Sequence, residues 1–266
     1  MSERPTIGVF DSGVGGLTVL KALLELVPNA DYLYFGDTAR LPYGSKSAAT
    51  VTHYALGAAH YLENHGAQML VIACNTASAL ALEAITAGAP VPVLGVIEPG
   101  AARASEASKN RKVVVIGTEA TVTSHAYLKA LASRGVDARE KACPLLVPLV
   151  EEGWTEHSVT EQVARIYLGE AFSGFETADV LVLGCTHYPL LKPLLRRVAP
   201  PHVTIVDSAQ STAHEVASRL KTVLASTPAP PLLKFFATDS VEKFRRLGAR
   251  FLARPVEDVV HVDLKE

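Results

Sequence analysis

Short apolar runs alternate with amphipathic helical patterns along nearly the whole chain of 266 residues. The apolar runs are almost continuous rather than interleaved with polar residues, which is typical of parallel strands buried on both faces. Parallel strands need crossover connections, usually helices, and these cover the faces of the sheet. The pattern therefore predicts an α/β fold with mainly parallel sheets flanked by helices. The predicted strands are TIGVF at 6–10, DYLYFG at 31–36, MLVIAC at 69–74, VPVLGV at 91–96, KVVVIG at 112–117, a short strand near 137–142, DVLVLGC at 179–185, VTIVD at 203–207, LLKFFAT at 232–238 and DVVHV at 258–262.

The helical patterns lie between these strands. They predict helices at 17–27, 47–65, 76–87, 119–133, 156–171 and 210–225, with another before the strand at 203–207 and a short one before the last strand. The segment TPAPP at 227–231 is predicted to end the helix at 210–225, because proline cannot continue a helix.

One pattern occurs twice in the chain. The runs VIACNTASAL at 71–80 and VLGCTHYPLL at 182–191 each place a cysteine after an apolar strand and before residues that open a helix. Landmarks before and after each cysteine recur in the same order at similar spacing, which predicts two similar α/β domains with an active site in the cleft between them. The boundary is predicted near Glu98, with a return to the first domain near Asp207. The predicted division is 1–97 plus 208–266 for the first, discontinuous domain and 98–207 for the second.

The composition excludes several classes of protein. Hydrophobic residues make up 48% of the chain and charged residues 20%, which is a globular rather than a disordered mixture. The formal net charge of -2 predicts neither a nucleic-acid partner nor an anionic membrane. The apolar runs are too short to span a bilayer, and the first residues lack the apolar stretch of a signal peptide. Three cysteines do not make a disulfide framework, so a cytoplasmic protein is expected.

Two of the three cysteines share an unusual position. A single cysteine after an apolar strand is usually a small buried hydrophobic residue, and Cys143 fits that interpretation. Cys74 and Cys185 each lie where a strand ends and a helix is predicted to start, and there the backbone N–H groups and the helix dipole stabilise a thiolate. One such cysteine in each domain predicts two thiols that face each other across the cleft.

Opposed thiols suit a reaction in which a proton leaves one face of a carbon and another arrives on the opposite face. One thiolate and one thiol can serve as base and acid, and they exchange roles when the reaction runs backwards. A nearly symmetric protein matches this nearly symmetric reaction, so the pair favours a racemase.

Polar residues near the strand ends fit a small substrate with two carboxylates. Asn75–Thr76 and Thr186–His187 open predicted helices, where they either cap the helix or bind a carboxylate at its N-terminus. The segment DSGVGG at 11–16 is either an anion-binding concavity or a tight turn, and it lacks the GK[ST] of a P-loop. PYG at 42–44 is either one lip of the pocket or a turn.

Asp11 and His187 are the candidate helpers of the cysteines. Asp11 follows the first strand and either orients a substrate ammonium group, accepts its proton, or caps a turn. His187 lies two positions after Cys185 and either hydrogen-bonds the thiol, carries a proton, or is a buried histidine with a structural role.

Seven segments of the chain resemble the glutamate racemases of the cofactor-independent aspartate/glutamate racemase superfamily. The resemblance covers essentially the whole chain, and ACNTASA together with GCTHYPLL is its most specific part. These segments are FDSGVGGLTVL at 10–20, GDTARLPYG at 36–44, ACNTASA at 73–79, GVIEP at 95–99, GTEATV at 117–122, PLVEEG at 148–153 and LGCTHYPLL at 183–191.

This resemblance implies interconversion of L-glutamate and D-glutamate without cofactor or metal, which supplies D-glutamate for peptidoglycan. It implies that Cys74 is the base for the D-enantiomer and Cys185 the base for the L-enantiomer. It further implies a homodimer and supporting roles for Asp37 and for either Glu151 or Glu152. The substrate-contacting residues that it implies are Asp11, Ser12, Tyr43, Gly44, Asn75, Thr76, Thr186 and His187.

Four other functions are weighed against this one. A hydrolase or amidase with Cys185 as nucleophile and His187 as base leaves Cys74 unexplained. An aspartate racemase differs by pocket size, which a sequence does not reveal. A periplasmic amino-acid receptor fits neither the missing signal peptide nor the paired thiols. A zinc protein is disfavoured because Cys185 and His187 supply only two of four ligands.

Overall fold

The computed structural model describes residues 4–220 and 230–264. Ten strands are present in these ranges, and each coincides with a strand predicted from the sequence to within three residues at either end. They are β1 (Thr6–Asp11), β2 (Asp31–Gly36), β3 (Met69–Ile72), β4 (Val93–Gly95), β5 (Lys112–Gly117), β6 (Asp137–Ala142), β7 (Val180–Gly184), β8 (Thr204–Asp207), β9 (Leu233–Ala237) and β10 (Val259–His261).

The strands form two sheets in which every described pair is parallel. The first sheet has the order β10-β9-β2-β1-β3-β4, and the second has the order β6-β5-β7-β8. The second sheet therefore repeats the β2-β1-β3-β4 order of the first, and the predicted α/β fold with two similar halves is confirmed. Strand membership of the sheets supports the predicted division at 97/98 and 207/208, which stays a prediction.

Twelve α-helices connect and cover these strands in the described ranges. The long helix α2 is capped by the Ser47 hydroxyl, which accepts from the backbone N–H of Thr50 at 3.3 Å. The helices are α1 (Leu17–Leu26), α2 (Ala48–Asn64), α3 (Asn75–Leu80), α4 (Leu82–Gly88), α5 (Ile97–Ala107), α6 (Glu119–Thr123), α7 (Ala126–Ala132), α8 (Leu146–Glu151), α9 (Ser158–Phe172), α10 (Lys192–Val198), α11 (Ser208–Leu220) and α12 (Val241–Leu252).

Several helices differ from the sequence-based prediction. The helix predicted at 76–87 is two helices that meet at Ala81, and the one predicted at 119–133 is broken at His125, which has a left-handed φ of 55°. Helices α5 and α8 were not predicted, because Pro99 and Gly100 in α5 and Pro148 in α8 are typical of turns. Residues 221–225 of the helix predicted at 210–225, and 227–229 of TPAPP, lie outside the described residues.

Helices from both halves share one hydrophobic core. Leu17 and Leu20 of α1 and Ala213 of α11 belong to the same buried cluster as Ile116 of β5 and Leu183 of β7. The residues that follow β1, β3, β5 and β7 line one cavity at the junction of the halves; they are Ser12, Cys74, Thr118 and Cys185. Within residues 4–220 and 230–264, no helix combines the length and the apolar character needed to cross a bilayer.

Candidate active site

A cavity of about 450 Å³ lies at the carboxyl ends of the strands, between the two halves. This is where parallel sheets usually bind ligands. It is lined by Ser12, Leu41, Pro42, Tyr43, Gly44, Ser45, Cys74, Asn75, Thr76, Thr118, Glu119, Pro144, Val147, Pro148, Glu151, Cys185, Thr186, His187 and Lys243.

Cys74 reaches the cavity from the first half. It precedes α3 as the N-cap residue, and its sulfur accepts a hydrogen bond from the backbone N–H of Ala77 at 3.5 Å. Its thiol donates to the Ser12 hydroxyl at 3.6 Å. Burial, together with the nearby Asp11 carboxyl, raises the pKa of the Cys74 thiol to about 12. The expected stabilisation of a thiolate by the helix is thus outweighed by desolvation, and Cys74 is protonated at neutral pH.

Cys185 reaches the same cavity from the second half but has different surroundings. The helix expected directly after Cys185 is instead a 3₁₀ turn at Tyr188–Leu191, and α10 starts only at Lys192. Its sulfur lies 4.0 Å from Nδ1 of His187, so an imidazole takes the place that a helix N-terminus holds beside Cys74.

His187 is buried and contacts both the Cys185 sulfur and the Glu151 carboxylate. Its Nε2 lies 3.3 Å from Oε1 of Glu151, and Lys243 holds the other oxygen of that carboxylate at 3.3 Å. Burial alone would lower the pKa of His187, but the hydrogen bonds with Cys185 and Glu151 outweigh it and raise this pKa to about 10. The hydrogen bond with His187 in turn lowers the pKa of Glu151. The result is a cationic imidazolium beside Cys185 at neutral pH.

The structure distinguishes the two glutamates that the sequence left open. Glu151 is half-buried, lines the cavity and pairs with His187, whereas Glu152 is exposed beyond the end of α8. The geometry therefore favours Glu151 over Glu152, and the supporting role itself stays a prediction.

Asp11 lies beneath the cavity rather than on its wall. It is fully buried, its Oδ2 accepts from the backbone N–H of Gly13 at 3.0 Å, and its Oδ1 accepts from the Thr186 hydroxyl at 3.4 Å. Burial raises its pKa against these hydrogen bonds and against the nearby His187. Part of the predicted anion-binding turn thus holds the protein's own carboxyl, and direct contact of Asp11 with substrate stays a prediction.

Tyr43 forms one lip of the cavity. The sequence left open whether PYG at 42–44 is such a lip or a turn. Its hydroxyl donates to Oδ2 of Asp37 at 2.5 Å. Asp37 is fully buried and also accepts from Thr238 at 2.8 Å and pairs with Arg40 at 3.0 Å. Asp37 therefore does not line the cavity but anchors the tyrosine that does.

Three threonine hydroxyls form a cluster that joins the halves. Thr76 of α3 lies 2.9 Å from Thr118 and 3.2 Å from Thr121, both on the α6 side of the second half. Thr118 and Thr121 were not predicted as site residues. Thr118 follows directly after β5, just as Asp11 ends β1, and this position at a strand end could have identified it.

Gly15 allows the two halves to approach closely. A Cβ atom at this position would lie 2.6 Å from Nδ1 of His187 and closer still to the Thr186 hydroxyl. Gly44 has the same role at the other side of the cavity, where a Cβ would lie 2.7 Å from Cβ of Thr118. These two glycines of the first half let their loops pack against Thr186 and His187, which follow Cys185, and against Thr118.

The structure thus brings seven of the eight predicted substrate-contacting residues to the cavity wall and places Asp11 behind it. Cys143 is fully buried away from the cavity wall, as a core residue. Sequence reasoning missed Val147 and Lys243, since neither lies in a distinctive motif. Across the described ranges, His, Cys, Asp and Glu side chains nowhere form a group of three or more that is placed to hold a metal ion.

The chain is similar to known racemases in both sequence and fold. The family model for Asp/Glu/hydantoin racemases matches residues 7–216. A glutamate racemase of Koribacter versatilis is 60% identical over 98% of each chain. A glutamate racemase isoform from Bacillus anthracis superposes with a TM-score of 0.93 at 37% identity over 99% of each chain. A glutamate racemase from Francisella tularensis, solved in complex with D-glutamate, gives 0.91 at 35% identity over 99% of each chain.

Proposed function

The chain belongs to the Asp/Glu/hydantoin racemase family, and from this membership we propose that it is a glutamate racemase acting through Cys74 and Cys185. It is an isomerase, and the proposed reaction interconverts L-glutamate and D-glutamate by proton transfer at Cα. The observation that carries the two-thiol mechanism is that both cysteines line one cavity, each contributed by a different half of the molecule.

In the proposed reaction, one thiol group takes a proton from the substrate and the other returns one, so the number of protons is unchanged. One sulfur, as thiolate, takes the Cα proton from one face, and the electron pair left on Cα delocalises into the adjacent carboxylate. The other sulfur, as thiol, then donates its proton to the opposite face. We assign Cys185 to the proton of L-glutamate and Cys74 to that of D-glutamate, as the family resemblance implies.

The surroundings of the two sulfurs support these roles. The raised pKa of Cys74 keeps it protonated, so it is ready as the acid. The imidazolium of His187 lies beside Cys185 and places a positive charge next to that sulfur. Conversion of L-glutamate uses the proton on Cys74, and conversion in the other direction needs that proton on Cys185 instead.

Donors on the cavity wall support a dianionic substrate. Asn75 is buried, lines the cavity and leaves Nδ2 without a hydrogen-bond partner in the described part of the chain. Thr76, Thr118 and Thr186 add hydroxyl groups, and Lys243 and His187 add positive charge. We propose that these groups bind the carboxylates, with Ser12, Tyr43 and Gly44 completing the contacts.

The contact between Cys185 and His187 also fits a cysteine hydrolase. The number of essential thiols separates the two functions, because a hydrolase needs only Cys185 whereas the racemase also needs Cys74.

The direct test incubates purified protein with L-glutamate, with EDTA present and no pyridoxal phosphate, and follows the product by chiral chromatography. We expect an equimolar mixture of enantiomers, and absence of D-glutamate would refute the assignment. Parallel reactions with aspartate and glutamine test the substrate. Glutamine, which lacks one charge, should react about tenfold to hundredfold more slowly, and equal rates would contradict recognition of two anions.

The wider role follows from this reaction. We propose that the protein acts in the cytoplasm as a homodimer and supplies D-glutamate for peptidoglycan. Depletion of the protein should then make growth depend on added D-glutamate. Light scattering of the purified protein should give twice the 28.3 kDa chain mass.

A further inference from the structure

The carboxamide of Asn75 has one bound end and one free end. Its Oδ1 accepts a 2.7 Å hydrogen bond from the Tyr127 hydroxyl, while Nδ2 has no partner within residues 4–220 and 230–264. A buried N–H group without a partner is costly, so its presence on a cavity wall indicates that a ligand satisfies it. Since Nδ2 can only donate, the ligand atom it meets must be an acceptor such as a carboxylate oxygen.

Tyr127 reaches Asn75 from the opposite half of the molecule. It lies on α7, is fully buried and does not line the cavity, whereas Asn75 begins α3. The side chain of Ser208, the first residue of α11, hydrogen-bonds the same phenol oxygen. The phenol donates its own proton to Oδ1 of Asn75, and burial keeps that proton in place by raising the pKa of Tyr127. The phenol therefore holds the oxygen end of the amide.

The hydrogen bond from Tyr127 decides which end of the amide faces the cavity. The two ends of a carboxamide have nearly the same shape, so packing alone distinguishes them poorly. If the amide turned over, Oδ1 would face the substrate, and two acceptors would meet. Resting on the function proposed above, we propose that Tyr127 is a positioning residue that orients Asn75 so that Nδ2 donates to a substrate carboxylate.

The test is a double-mutant cycle with Tyr127→Phe and Asn75→Ala, measured as KM and kcat for D-glutamate. Removing the phenol oxygen should raise KM about threefold to tenfold, the worth of one neutral hydrogen bond. The kcat should stay within about twofold, because binding rather than the transition state is affected. In the Asn75→Ala background, Tyr127→Phe should have no further effect on KM, because residues that act through one another are not additive.

A control removes a comparable buried hydroxyl elsewhere. Tyr32 is also buried, and its hydroxyl donates to the carbonyl of Val27 at 2.7 Å, away from the cavity. Tyr32→Phe should lower the melting temperature without changing KM, which separates loss of stability from loss of positioning. If Tyr127→Phe fails to fold, Ser208→Ala serves as the second variant and should raise KM in the same direction by a smaller factor.

Two results would overturn the proposal. One is an unchanged KM in Tyr127→Phe, and the other is an equal rise in KM with and without Asn75. The wild-type protein, assayed first, decides separately whether glutamate is racemised at all. Failure of the proposed function is therefore visible before any variant is compared.

Discussion

The two cysteines occupy equivalent places in a repeated strand order but have different chemical surroundings. Cys74 has an uncharged hydroxyl and a backbone N–H as hydrogen-bond partners, with the buried Asp11 carboxyl nearby. Cys185 has the imidazole of His187, whose far nitrogen is held by Glu151. Backbone symmetry therefore does not make the two halves chemically equivalent, and each thiol is controlled by a different kind of neighbour.

The largest expected effect comes from removing either sulfur. Cys74→Ala and Cys185→Ala should each lower racemisation by at least about a hundredfold to ten-thousandfold, because every turnover needs both an acid and a base. Substrate should still bind, since the carboxylate contacts are unchanged. In deuterated water, residual exchange at Cα should be confined to L-glutamate in Cys74→Ala and to D-glutamate in Cys185→Ala, as followed by NMR. Equal exchange of both enantiomers by one variant would remove the distinction between the two thiols.

The second prediction disturbs the contact between the halves. Gly15→Ala places a methyl group against Thr186 and His187, so the loops must separate and only the Cys185 side loses its geometry. We expect a loss of activity of about a hundredfold, the size typical of a catalytic group displaced by 1 Å. Gly169→Ala is the control, because its new methyl group meets nothing within 4 Å. It should retain full activity.

The third prediction concerns the pH dependence of activity, which should depend on the Glu151–His187 pair beside Cys185. Glu151→Gln removes the anion that helps to hold the pKa of His187 at about 10, so this pKa should fall. Activity should drop about tenfold at neutral pH, as expected for a lost hydrogen bond to a charged group. The alkaline limb of the pH profile should move to lower pH. Glu152→Gln, an adjacent exposed change, should leave the profile unaltered.

The pair of His187 and Glu151 should also affect how the stability of the protein depends on pH. The raised pKa of His187 contributes stability that is complete below its usual value of 6.5 and is lost as pH rises through about 10. The lowered pKa of Glu151 contributes stability above its usual value of 4.5, which is lost as pH falls through the folded-state value. The melting temperatures of wild type and Glu151→Gln should therefore differ most between pH 4.5 and 6.5. A constant difference across pH would contradict the ion pair.

The smallest effect is expected on the Cys74 side. Ser12→Ala removes a neutral hydroxyl from Cys74 and should slow the reaction about fivefold, the worth of one neutral hydrogen bond. The enantiomers have equal free energies, so kcat/KM must fall equally in both directions. The asymmetry is read instead from primary isotope effects, which should rise more for deuterated D-glutamate than for deuterated L-glutamate. An equal rise would show that Ser12 does not act through Cys74.

Most of the fold was determined locally and could be predicted. The ten strands are continuous apolar runs, and burial on both faces selects such runs wherever they occur. The prediction failed at α5 and α8, where the proline lies in the first turn and therefore removes no intrahelical hydrogen bond. The repeat of a cysteine after equivalent strands was enough to predict two similar halves and to select Cys74 and Cys185 over Cys143.

The tertiary structure alone decided the chemistry around each sulfur. Sequence proximity suggested His187 as the neighbour of Cys185. Glu151 meets His187, and Lys243 meets Glu151, only because α8 and α12 pack against the cavity. Burial, which no motif encodes, reversed the expected direction of the Cys74 pKa. Tyr127 lies 52 positions from Asn75 and in the other half, so their hydrogen bond has no signal in the local pattern. Local periodicity determines which segments are strands and helices, whereas the charge state of a buried group depends on distant segments that the folded chain brings to it.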